Sequence, residues 1–411
     1  MFALLSHAAY GQPVHFGTAF PLTDTRYATS RGHLPLLLSN GREPVLFWSD
    51  DQSVRAARVV DGQLNIGRAV AKLDRAEAEF DAVWTGTHFL VVSTSNTIVG
   101  RIVSATGEAI GEPFSIVAGR LPRIAFNGRN VLMLFAGAGT IETNALLLTT
   151  EGQLAEPAPR ALGITQNGRA ALASNGTSFA AVIPRDIEPR VVTFDDAGRV
   201  SADAMFGPYG SAAAIASDGR RYLAVAACGI NGGLCGPMYA RTVESDGTLG
   251  AQLDLDEPFP HFPAAAWTGS GWTIAYERNG LRVAHLDAAA KRIERREEGA
   301  GSESSLAMIG GRLMRASVSG QQSRGPIFVD GVPATFTATR QMLIATATSS
   351  DATLIVWQEI GGERTTLHTG LRTRDGRWSE RTILTVPVRD CCYEEMFSGL
   401  AASDGREFLL V

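Results

Sequence analysis

Glu277 and Glu359 carry the side chains best placed for acid–base chemistry in this chain. Each follows a strongly apolar run, Trp272-Thr273-Ile274-Ala275-Tyr276 and Leu354-Ile355-Val356-Trp357. Arg278 adjoins the first carboxylate and can neutralise an anionic group, because a guanidinium stays charged and presents a planar fork of donors. His261, in Phe259-Pro260-His261-Phe262-Pro263, has the side chain of a base or a ligand. Together they suit binding of hydroxyls or anions, or proton transfer. Hydrolysis of a glycosidic bond needs two carboxyl groups about 5–10 Å apart. Spacing along the chain does not supply that distance. The plainer reading is a solvated acidic rim and a packed loop histidine.

The four cysteines divide into two pairs. Cys228 and Cys235 bracket Gly229-Ile230-Asn231-Gly232-Gly233-Leu234, a glycine-rich loop able to fold back on itself. A disulfide there requires Cα atoms within about 7 Å. No further ligand pair follows at zinc spacing. Cys391 and Cys392 are adjacent, open to a vicinal disulfide or two free thiols, and lack the two-residue spacer of thioredoxin-like sites. The other histidines show no metal spacing. No HExxH, calcium-loop or phosphate-loop pattern occurs, so neither metal nor cofactor is expected.

These residues sit on a repeat. A short strand-like run ends in a polar turn, and a second apolar strand follows. Such turns centre on Gly41, Gly86, Gly128, Gly176, Gly219, Gly269, Gly310, Ala352 and Gly405, at intervals of 41 to 53 residues. Periods in this range mark repeat architectures, with propeller blades foremost. Around Gly128, Pro122-Arg123-Ile124-Ala125-Phe126 is the first strand and Val131-Leu132-Met133-Leu134-Phe135 the second. Ala145-Leu146-Leu147-Leu148-Thr149-Thr150 is the third, and a polar fourth follows Glu151-Gly152. Asn-Gly suits a tight turn because both residues tolerate positive φ. The segment 288–298 favours a helix by propensity, but its place in the repeat assigns it to an outer strand.

The chain is therefore expected to be all-β. The sequence predicts one closed β-propeller over residues 1–411, built from four-stranded antiparallel blades. Nine anchors imply nine blades. If the stretch 312–353 holds an insertion, the count is eight. The end, 399–411, supplies two inner strands, and 1–22 resembles the missing outer pair. Joining them in one blade would close the disc and hide its edges. Trp48, Trp84, Trp267, Trp272, Trp357 and Trp378 recur at packing positions, with Trp48 and Trp357 nearest a rim. First-to-second and third-to-fourth turns share the regular rim. Second-to-third loops and inter-blade connections share the irregular one. Binding groups concentrate on variable loops held by a rigid frame, so Glu277, Arg278, Glu359 and His261 mark the irregular rim as the candidate ligand face.

The cadence of Pro122-Arg123-Ile124-Ala125-Phe126-Asn127-Gly128, of Trp84-Thr85-Gly86 and of Asp246-Gly247 resembles repeats of bacterial secreted or surface β-propeller proteins. That resemblance spans almost the whole chain and implies export and a binding or scaffolding role. It names no ligand. The Trp-Asp cadence of WD-type blades, kelch double glycines and the sialidase Asp box are absent.

Composition narrows the classes. The 411 residues include 42 acidic and 37 basic side chains, for a formal net charge of −5. Neither a basic cluster nor an arginine-rich helix supports nucleic-acid binding. No run of eighteen apolar residues predicts a membrane span. The reading is a monomeric, noncatalytic, exported or surface-held scaffold, extracellular or periplasmic, for a protein, glycan or small molecule. The alternatives are a propeller hydrolase or lyase acting on a carbohydrate, and a cytoplasmic location. In exported protein, non-reducing peptide mapping should show the peptide holding Cys228 and Cys235 lighter by two hydrogens. Free thiols there would sink the disulfide and weaken the case for export.

Overall fold

The computed structural model describes residues 35–387 apart from several short stretches, the longest being 228–236, 319–326 and 334–339, together with Ala401–Ser403 and Phe408–Leu410. Every regular element described is a strand. The third sheet shows the pattern: Gly119–Phe126, Val131–Gly137, Glu142–Leu148 and Arg160–Thr165 pair antiparallel in sequence order. Seven such four-stranded sheets are present, and the first sheet has a fifth strand, Arg68–Lys72. Six of the nine sequence anchors fall at first-to-second turns, while Ala352 opens a strand and Gly310 and Gly405 lie outside the described residues. Gly41, Gly86, Gly128, Gly176, Gly219 and Gly269 each separate a first strand from a second, with φ between +87° and +96°. L-residues with side chains rarely adopt that backbone.

Burial is graded across each sheet. Second strands are wholly buried, as in Phe89–Thr94 and Tyr222–Ala227. Fourth strands are mostly open, as in Ala109–Val117 and Val200–Met205. Residues 288–298 follow the repeat rather than their helix propensity, since Ile293–Gly299 is the outer strand of the sixth sheet. The acidic run 253–257 lies in the outer strand Leu253–Pro258, whose Leu255 is fully buried. Its alternating Leu-Asp-Leu-Asp pattern is what a strand with one buried face requires.

Side chains, rather than strand ladders, join the first seven sheets. Phe47 and Val54 of the first meet Phe89 and Val91 of the second, with the rings of Phe47 and Phe89 5.1 Å apart. Corresponding apolar layers join second to third, third to fourth, fourth to fifth, fifth to sixth and sixth to seventh. A further layer packs Ile309, Ala316 and Val329 of the seventh sheet on Leu37, Leu46 and Trp48 of the first. Trp48 is thus a core residue, and Trp84, Trp267 and Trp272 also pack within these layers.

The expected closure is overturned. The sheets are separate and open, and no described ladder closes them into a ring of eight or nine blades. Ala401–Ser403 and Phe408–Leu410 form a two-stranded sheet with each other. The segment 1–22 lies outside the described residues. The physical reason is the layer between first and seventh sheets: those sheets bury each other's apolar faces and leave no slot for further blades there. The eighth sheet, Arg340–Thr348 to Trp378–Pro387, is built differently, with strands of nine or ten residues. Ala401–Ser403 lies against its first strand.

The regular rim is buckled from sheet to sheet. Asn127 Oδ1 accepts from the amides of Arg129 and Asn130, at 3.1 and 2.8 Å, shaping its own turn. Its Nδ2 donates to the carbonyls of Thr177 and Asp196 in the fourth sheet, at 3.3 and 3.1 Å. Asn40 reaches Ala105 of the second sheet and Asn175 reaches Arg220 of the fifth. His88 Nε2 donates to the Thr150 carbonyl, and Arg221 to that of Ala288. Asn127→Asp keeps the acceptor and loses both outward donors. A net intramolecular hydrogen bond contributes about 0.5–1.5 kcal/mol, so denaturant unfolding should show a loss of about 1–3 kcal/mol. Unchanged stability would contradict the buckle.

Candidate functional site

The first strands of the seven sheets surround an axial cavity of about 410 Å³. Each of them pairs on one side only, with its own second strand. Their other edges, with unpaired amides and carbonyls, therefore face the axis. All seven begin at the irregular rim and end at the regular one, so residues early in each first strand share one mouth. The charged residues lining the cavity are Asp81, Arg123 and Arg169, from the second, third and fourth sheets.

These side chains are built into the frame. Asp81 Oδ2 accepts from the Ile124 amide and Oδ1 from the Ala82 amide, both at 2.9 Å. The first of these bonds ties the second sheet to the third. Arg123 donates to the carbonyls of Ala170, Phe80 and Pro122, and to Glu79 Oε2 at 3.1 Å. Arg169 approaches the same oxygen through Nε at 2.7 Å and donates from Nη2 to the Phe80 carbonyl at 3.4 Å. One glutamate thus bridges two guanidinium groups, and three sheets meet at the mouth. On the far side of the cavity, the Leu37 amide donates to Ser305 Oγ, linking first and seventh sheets.

Burial pushes the Asp81 carboxyl up to about 7, against the bonds from Ile124 and Ala82 and the charge of Arg169, while Glu79 adds to the rise. Burial also raises Glu277, opposed by the charge of His261.

The four candidate residues do not assemble as one group. His261 and Glu277 are register partners in the first and second strands of the sixth sheet, and half-buried Arg278 follows. Glu359 lies on the eighth sheet, opposite Gln341 and Thr366, and that sheet does not line the cavity. Cys228, Cys235, Cys391 and Cys392 lie outside the described residues. The Asp81 cluster escaped the sequence reading because its members sit on three repeats, at 79–81, 123 and 169. The available signal was polar: Asp81, Arg123 and Arg169 interrupt or precede strands that are otherwise apolar. Among the described residues no group of three or more His, Cys, Asp or Glu side chains could hold a metal ion.

No protein-family model matches the sequence, and no curated protein matches it either. Solved structures do resemble the fold. Hydrazine synthase of Kuenenia stuttgartiensis matches 75% of this chain and 98% of its own, with a TM-score of 0.51 and 15% identity. BamB from Moraxella catarrhalis matches 71% and 83%, with a TM-score of 0.45 and 12% identity. The WD40 β-propeller domain of Doa1 matches 71% and 92%, with a TM-score of 0.49 and 13% identity. At these identities the likeness concerns the fold alone, which is β-propeller-like.

The raised Asp81 fixes a sign. Its folded carboxyl holds a proton up to about pH 7, while the unfolded one releases it near 3.8. Between these values the folded state binds more protons, so this residue's contribution to stability falls as pH rises and levels off above about 7. Asp81→Asn should remove that part of the slope in thermal melts taken from pH 5 to 8. An identical slope in the variant would contradict the assignment.

Proposed function

We propose that this chain is a noncatalytic binding scaffold, exported or held at the cell surface, that receives its ligand at the irregular rim over the axial cavity. The observation that supports this reading is the commitment of the charged mouth to the frame. Both oxygens of Asp81 take backbone amides, and Glu79 Oε2 takes both arginines. Groups held in this way fix geometry and offer little freedom for proton shuttling. The repeat's resemblance to secreted and surface propellers supports export. Among the described residues no helix is long and apolar enough to cross a membrane.

A hydrolase or lyase is the second reading, and one observation favours it. Glu277 is half-buried with a raised carboxyl beside His261, the environment that tunes a general acid. The test presents the full chain and its Glu277→Gln variant to a glycan panel and to a secreted-protein fraction, with products followed by mass spectrometry. The scaffold reading expects retention of a partner with no product from either protein. Product from the wild type, lost in Glu277→Gln while retention persists, would establish the enzyme instead.

A further inference from the structure

The axial cavity has two features that its structural role does not require. The first is its wall. Seven strand edges turn unpaired amides and carbonyls toward one open-mouthed space, and only some find protein partners, such as the Ile124 and Leu37 amides and the Phe80 and Ala170 carbonyls. Backbone amides and carbonyls need hydrogen-bond partners, so the remaining ones take water, which a hydroxylated guest can replace. The volume lies within the range of small-molecule sites.

The second feature is its charge. Arg123 spends Nε, Nη1 and Nη2 on protein acceptors. Arg169 ion-pairs through Nε, which makes no hydrogen bond, and donates from Nη2, while its Nη1 has no hydrogen-bond partner among the described residues. Glu79 compensates one of the two cations and does not line the cavity. Asp81, the remaining charge there, already accepts two amides. The mouth therefore carries one guanidinium corner available to an acceptor from outside the chain.

We propose that the cavity binds a small hydroxylated carboxylate of the sugar-acid type, its carboxylate on Arg169 Nη1 and its hydroxyls on the free inner-strand edges. This rests on the scaffold reading and names the ligand class for it. An apolar acid would satisfy the arginine and leave the edges unpaired. A neutral sugar would do the reverse. The bound anion faces Asp81, Glu79, Arg123 and Arg169, the charged groups around the mouth. Because Asp81 titrates near neutrality, its protonation removes the nearest lining negative charge. Affinity therefore rises as pH falls from 8 to 6.

Calorimetry on the full chain with D-glucuronate, glucose and hexanoate tests this. Saturable glucuronate binding is expected, with glucose and hexanoate each at least tenfold weaker. Arg169→Lys keeps a cation beside Glu79 but loses the fork, and should weaken glucuronate at least tenfold with its melting temperature largely retained. Asp81→Asn should bind at pH 8 as the wild type does at pH 6. Should either variant fail to fold, the three-ligand comparison and the wild-type pH series decide the matter. Absence of glucuronate binding, equal binding of all three, or full affinity in folded Arg169→Lys would overturn the site while leaving the scaffold reading intact. Consumption of bound glucuronate would overturn that reading and leave the site standing.

Discussion

The asparagines at the head of the first turn in the first, third and fourth sheets do two jobs, and the arrangement of those sheets depends on them. The side-chain oxygen of Asn127 organises its own turn, and its nitrogen bonds the neighbouring sheet. A four-stranded sheet with two apolar faces is unstable alone, because each face must be covered. The apolar layers supply that cover but are non-directional. The turn bonds set the register in which one face meets the next. Asn40, His88, Asn175 and Arg221 repeat the bond with different chemistry. What recurs is a donor reaching a neighbour's carbonyl, not a residue type.

At the irregular rim the sheets are held by charge. Asp81, Glu79, Arg123 and Arg169 bind backbone groups and each other across three sheets. Removing one partner would strand a poorly solvated charge, a larger penalty than the pair's net contribution. The same cluster leaves one face of Arg169 toward the cavity. Frame and candidate site therefore share residues, which makes ligand affinity and stability dependent on one set of bonds.

Much of the frame was legible in the sequence. The turn glycines and the strand order within each repeat could be read because tight turns demand particular backbone angles, and strands alternate with them at a fixed period. The number of sheets around the axis was not legible. It depends on how Trp48, Leu37 and Ile309 fill the layer between first and seventh sheets, and that packing has no local sequence signature. The long strands from Arg340–Thr348 onward kept the turn cadence but joined a differently built sheet, so counting turns overcounted the sheets around the cavity. The candidate site divided in the same way. His261 and Glu277 were placed together by strand pairing. Glu359 was assigned to the rim by counting repeats and lies on the eighth sheet. The Asp81 cluster needs three repeats in space before it exists.

The central claim is that first strands keep one edge unpaired toward an axial cavity, tied only at chosen amides. Residue-resolved amide hydrogen exchange tests it directly. Second-strand amides in Phe89–Thr94, Val131–Gly137 and Tyr222–Ala227 should exchange slowest. Along Gly119–Phe126, the Ile124 amide held by Asp81 should be protected, while amides facing the axis without a partner exchange fast. Uniform slow exchange along both edges of the first strands would mean that they are paired on both sides, and would contradict the account.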